Sequence, residues 1–246
     1  MDNKVSNISF TARCPQIRKG EWVCHAVNTG LPHLSSTKFN PLFIDFEINN
    51  YSLIKSFKTL SEKPRQLFLN HCSPESKKVI TIHNAIESLL NRVNSARMKF
   101  RKDFYDDNDR ANRLLKQMKS TRIANCSETA GASEIALKMN GVKNSYTAFV
   151  SYNGKSLDHS VCIFNKDGSE FTGVVNNKTI IVDPWAGFAD FANNAFIRYK
   201  NLFAKHLDIK GKGKFGIEIP RQYNLSEKDI ETLKQTYPQL VKEGSK

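Results

Sequence analysis

Residues 123–187 hold the pattern that most restricts the fold: one helix, then short apolar strands separated by turn residues. Residues 127–140 read as a helix stopped by Gly141, a glycine where a helix C-terminus favours a left-handed residue. Tyr146, Ala148, Val150 and Tyr152 then alternate with Thr147, Phe149 and Ser151, which is the period of a strand. Asn153-Gly154 is a strong turn signal, with the next strand expected from about Asp158. Asp167-Gly168 separates the apolar run 159–164 from a segment at 171–175, and Asn176-Asn177 leads into the run 178–183. A helix followed by three or four antiparallel strands is an α+β arrangement.

The flanking segments read differently. Residues 1–50 are expected to be an irregular lead, broken by Pro15, Gly20, Gly30, Pro32 and Pro41, that is either flexible or wrapped on the domain. Within it, 43–48 alternates in part and reads as a short strand. Residues 50–70 look helical, with Leu53, Ile54, Phe57 and Leu60 on one face. Ser73-Pro74-Glu75 is a helix start, with Ser73 as N-cap and Pro74 in the first turn. Val79, Ile82, Ile86, Leu89, Val93, Ala96 and Phe100 then recur at helical spacing, an amphipathic helix of about 25 residues. Asp106-Asp107-Asn108-Asp109 is placed to cap a second helix, whose face is Ala111, Leu114, Leu115 and Met118. Residues 188–206 are aromatic-rich and read as helical, 210–214 as a basic turn, 215–219 as a last strand, and Ser226 as the cap of a short helix. The expected organisation is a lead over 1–50, a helical subdomain over 51–122, a helix-plus-sheet core over 123–220, and a C-terminal helix and tail over 221–246.

Composition narrows the function classes. Hydrophobic residues make up 39% of the chain, enough for a real core, yet no apolar run approaches the roughly 18 residues of a membrane helix. The net charge of +13 permits attraction to nucleic acid, anionic membrane or an acidic protein surface. The Lys and Arg residues between Arg92 and Lys119 are interleaved with acids, so they read first as a solvated helix face. No recognition motif points to specific nucleic-acid binding. Five cysteines, an odd number with no C-x-x-C pair, argue against a disulfide framework and for a reducing compartment. Cys14, Cys24, His25 and His33 lie near one another but match no common zinc spacing, so neither a metal nor a cofactor is expected.

Chemistry-bearing residues concentrate in the core segment. Cys126 precedes the small-residue helix, His159 opens an apolar strand and Asp183 closes the next. A thiolate is a nucleophile, and a helix N-terminus and a nearby imidazole both favour it over the thiol. The imidazole in turn needs a partner that fixes its tautomer, and a strand-end carboxylate supplies one. Taken singly, each has a structural reading: a buried Cys, a satisfied core His, an Asp capping the turn at Pro184. Cys14, Cys24 and Cys72 lack such a context, and strand alternation puts Cys162 on the face opposite His159, as core.

The order Cys-helix, His-strand, Asp-strand resembles the papain-like and transglutaminase-like cysteine-enzyme superfamily. The resemblance is carried by Asn125-Cys126-Ser127-Glu128-x-Ala130, Asp158-His159-Ser160-Val161 and Val182-Asp183-Pro184-Trp185, within residues 120–190. It implies an α+β, papain-like core in which a helix carrying Cys126 packs on an antiparallel sheet carrying His159 and Asp183, plus a helical N-terminal extension. It makes Cys126 the nucleophile, His159 general base and then general acid, and Asp183 the group that orients the imidazolium. The departure is the oxyanion donor. Papain-like enzymes often place a Gln a few residues before the Cys, whereas Gln117 lies nine residues upstream in a predicted helix. The Cys126 backbone N–H is the expected donor, with Asn125 or Gln117 as side-chain candidates. Trp185 is expected either to wall the site or to pack under the sheet.

The compact spacing also resembles injected bacterial effectors: host-directed proteases, glutamine deamidases and transglutaminases. That implies a protein substrate, a host protein among the candidates. It also implies delivery from a bacterial cytoplasm without a cleaved signal peptide, and Met1-Asp2-Asn3-Lys4-Val5 lacks the layout of one. A protease is the first expectation, and a deamidase or transglutaminase the alternative. A non-enzymatic basic interaction module is the reading from a different class.

Overall fold

A computed structural model describes residues 14–31, 49–100, 107–122, 124–203 and 213–242. The expected strand at 43–48, Asp106 and most of the basic turn at 210–214 lie outside the described residues, as do the side chains of Leu89, Val93, Ala96 and Phe100. The elements in chain order are α1 (Pro15–Gly30), α2 (Tyr51–Thr59), α3 (Glu62–His71), α4 (Pro74–Phe100), α5 (Asp107–Thr121) and α6 (Cys126–Met139), then β1 (Ser145–Tyr152), β2 (Lys155–Asn165), β3 (Thr179–Asp183) and β4 (Phe188–Phe191). They continue with α7 (Ala192–Phe203), β5 (Phe215–Arg221), α8 (Glu227–Thr236) and a 3₁₀ turn at Pro238–Leu240. The strands form one antiparallel sheet in the order β4-β3-β2-β1-β5, so the fold is α+β.

Helix α6 is buried along its length, which its run of small residues permits. Its start is closed by Glu128, whose carboxylate accepts the backbone N–H of Asn125 at 2.9 Å. Its end is a Schellman motif: Gly141 sits at φ 82°, and the N–H groups of Val142 and Gly141 donate to Leu137 and Lys138 carbonyls at 2.9 and 3.1 Å. Alternation along the strands gives the sheet two apolar faces. Cys162, Phe164, Ile180 and Val182 pack with α1, α5, α6 and α8 on one, and Val161, Ile163 and Ile181 pack with Ala192, Ala195 and Tyr199 of α7 on the other.

Several expectations need correction. The lead at 1–50 is not irregular throughout, because Pro15–Gly30 is a helix. Pro15 sits in its first turn, where the missing N–H costs nothing. Gly20, read as a breaker, is a close-approach residue: a Cβ there would lie 2.8 Å from Ala189 Cβ and 3.1 Å from Val182 Cγ2. The glycine lets α1 lie tightly on β3 and β4, so this part of the lead is packed on the domain.

The Asn153-Gly154 turn is tighter than expected. Both residues have positive φ, 51° and 71°, and β2 begins at once with Lys155 rather than near Asp158. The added residues are absorbed by a register irregularity, since Val150 pairs with His159 but Ser151 pairs with Ser156. Residues 50–70 divide into α2 and α3 at Leu60, whose backbone is extended. The segment at 171–175 forms no strand, and 188–206 opens with β4 before it becomes helical.

Candidate active site

The sheet register brings His159 and Asp183 together. Cys162 pairs with Val182, so Val161 faces the end of β3 and His159, two residues further, reaches Asp183 diagonally on the same face. His159 Nε2 and Asp183 Oδ2 are 2.7 Å apart. That leaves Nδ1 as the nitrogen that bonds the thiol of Cys126, at the first position of α6. The three side chains form one hydrogen-bonded series in a dry environment: His159 and Asp183 are each 1% exposed and Cys126 8%.

Burial opposes charge on the His159 ring. The Asp183 carboxylate and the hydrogen bonds to Asp183 and Cys126 outweigh it, and the ring's pKa is pushed up to about 10. Two other buried thiols differ. Burial pushes the Cys24 thiol up and holds Cys162 well above its ordinary value, so both stay protonated. Cys162 is fully buried on the α6 face, away from the ring.

Asp183 is held by more than His159. Its Oδ1 accepts the backbone N–H of Ala186 at 3.0 Å, closing the turn after β3. Its Oδ2 also accepts the Tyr199 hydroxyl at 2.7 Å. From α1, Asn28 Nδ2 donates to the Pro184 carbonyl at 3.0 Å and the Cys24 thiol to that of Phe188 at 3.1 Å. Trp185 lies against the His159 ring with centroids 4.9 Å apart and also packs against the apolar cluster on the α7 face. The Ser127 and Ser160 hydroxyls, 3.1 Å apart, tie the first turn of α6 to β2.

Asn125 is the N-cap residue of α6, immediately before the nucleophile candidate. Gln117 is buried on α5, the helix packed along α6. Tyr199, Asn28 and Cys24 carried no signal in the sequence. Tyr199 is one of several aromatics in 188–206, and α1 lies more than 150 residues from the turn it holds. Among the described residues no group of three or more His, Cys, Asp or Glu could hold a metal ion, and no helix is long and apolar enough to cross a membrane. No family model, curated protein or solved structure matches the chain.

Proposed function

We propose that this chain is a cysteine-nucleophile hydrolase of papain-like architecture that acts on a protein substrate through an acyl-thioester, protease-like in its reaction. The observation that carries the reading is the buried series of Cys126, His159 and Asp183, with the thiol at a helix N-terminus. Neighbouring contacts support it: Asp183 is anchored through both oxygens, and the Trp185 ring lies against His159.

In this mechanism the raised pKa of the His159 ring keeps the proton of Cys126 on Nδ1, and Sγ attacks the carbonyl carbon as the thiolate of that ion pair. The negative charge that develops on the carbonyl oxygen lies at the positive end of α6, where the Cys126 backbone N–H is the assigned donor. Asn125 and Gln117 are the side-chain candidates beside it. His159 then gives its proton to the leaving nitrogen, and the C–N bond breaks to leave the thioester. Water, deprotonated by the same ring, attacks the thioester, releases the acid and restores the ion pair. Asp183 keeps Nε2 occupied throughout, so Nδ1 faces the sulfur. The likeness to injected effectors makes host proteins the first substrates to try.

The test is the rate of iodoacetamide labelling at each Cys across pH, in wild type and in His159→Ala. Labelling is expected to be fastest at Cys126 and slower once His159 is gone. Slow labelling at Cys126, indifferent to His159, would reduce the series to a structural network. Intact-mass analysis of a treated protein substrate then separates the chemistries. Backbone cleavage marks a protease, a gain of about one mass unit a deamidase and a loss of ammonia on crosslinking a transglutaminase, since all three share the thioester.

A further inference from the structure

We propose that Tyr199 is a positioning residue of this site: its hydroxyl shares the Asp183 oxygen that His159 uses, and so limits how tightly the carboxylate holds the imidazolium. Its functional meaning rests on the thiol-enzyme reading above. The geometry is specific. Tyr199 Oη and His159 Nε2 each lie 2.7 Å from the same atom, Asp183 Oδ2. The Tyr199 ring is fully buried and meets the His159 ring edge-on, with centroids 5.4 Å apart.

A carboxylate can only accept, so the phenol must donate. Burial first, and then the charge of Asp183, push the phenol's pKa well above its ordinary value, which keeps it a donor. Two charge-assisted hydrogen bonds to one oxygen divide its charge between them. His159 must both take a proton from sulfur and give one to the leaving nitrogen. An imidazolium held by an undivided carboxylate would take its proton readily and release it slowly. The titratable groups that face the ring are Asp183 from β3, Cys126 from α6 and Tyr199 from α7; Cys24 from α1 is held neutral beside Asp183, with Glu21 acting on it from the same helix.

The experiment is a titration of His159 by NMR on histidine-labelled protein, in wild type and Tyr199→Phe, with the resonance assigned by its absence in His159→Gln. Loss of one hydrogen bond to the carboxylate is expected to raise the His159 midpoint by roughly 0.5–1 pH unit. An unchanged or lower midpoint overturns the proposal, and so does an equal rise when Tyr199→Phe is made in an Asp183→Asn background. Should Tyr199→Phe fail to fold, the wild type still decides: a slowly exchanging Tyr199 hydroxyl proton, lost in Asp183→Ala, is expected, and its absence overturns the assignment. Failure of the functional reading has a separate signature, which is Cys126 labelling that is equal in wild type and His159→Ala. The titration difference would still decide the role of Tyr199 in that case.

Discussion

Glu134 and Asp183 are both buried carboxylates, one on each face of the same sheet, and they are put to different uses. Glu134, midway along α6, accepts the backbone N–H and hydroxyl of Thr147 at 2.7 and 2.8 Å and the backbone N–H of Tyr223 at 2.6 Å, with Lys138 Nζ 3.7 Å away. Burial pushes its pKa up, against the pull of these partners. None of the partners relays a proton, and the result is a staple joining α6, β1 and the segment before α8. Asp183 likewise has its oxygens occupied, but one donor is a ring whose other nitrogen bonds a thiol. A buried charge is therefore not in itself a sign of function. What distinguishes the two faces is whether the partners lead onward to a group that can react.

The sharpest test of that contrast is Cys126→Ala, expected to abolish activity while leaving the circular dichroism spectrum and unfolding midpoint near wild type. Loss of folding instead would make the thiol a core residue. Asp183→Asn should cost less, a fall in turnover on the order of 10²–10⁴ as the ring loses its anchor, read from steady-state rates. Glu134→Ala should act on stability instead. It strands the buried N–H groups of Thr147 and Tyr223 and removes the carboxylate beside the Lys138 ammonium, for about 3–5 kcal/mol in urea unfolding. If Glu134→Ala kept its stability and lost only turnover, the division between the two carboxylates would collapse.

The pH dependence separates the faces again. His159 has a raised pKa, so its pairing contributes stability in full below the roughly 6.5 of an unfolded histidine, and that contribution is lost as pH rises through about 10. Thermal midpoints measured across this window should fall more in wild type than in His159→Gln. The smallest effect belongs to neither carboxylate. Gly141→Ala, which has open space around it but a φ of 82°, should cost roughly 1–2 kcal/mol from backbone strain alone.

The helix at Cys126 and the strands at His159 and Asp183 were legible because each carries a local signal: small residues before Gly141, alternation, and apolar runs ended by polar residues. Their convergence was not legible in the same way. It depends on the register that sets Cys162 against Val182, and on a hairpin whose tightness is absorbed by an irregularity beside His159. Helix α1 was hidden because Pro15 and Gly20 look like breakers when read locally; one starts the helix and the other fits it against Ala189. Tyr199 had no local mark at all, since an aromatic on an apolar helix face gives no hint that its hydroxyl meets a carboxylate.

The grip of α1 on the turn after Asp183 also bears on the order of events during synthesis. Asn28 and Pro184 are separated by 156 residues, and Cys24 and Phe188 by 164. Helix α1 leaves the ribosome long before the strands it supports, so it must wait, unpaired on its inner face, for β3 and β4 to arrive. Contacts of such long sequence separation form late and slowly. Cys126 emerges well before His159 and Asp183, and until they and α1 are in place its sulfur has neither its ring nor the anchor behind it. In a nascent chain of this protein the Cys126 contacts to His159 would be completed only after translation has passed the fourth strand.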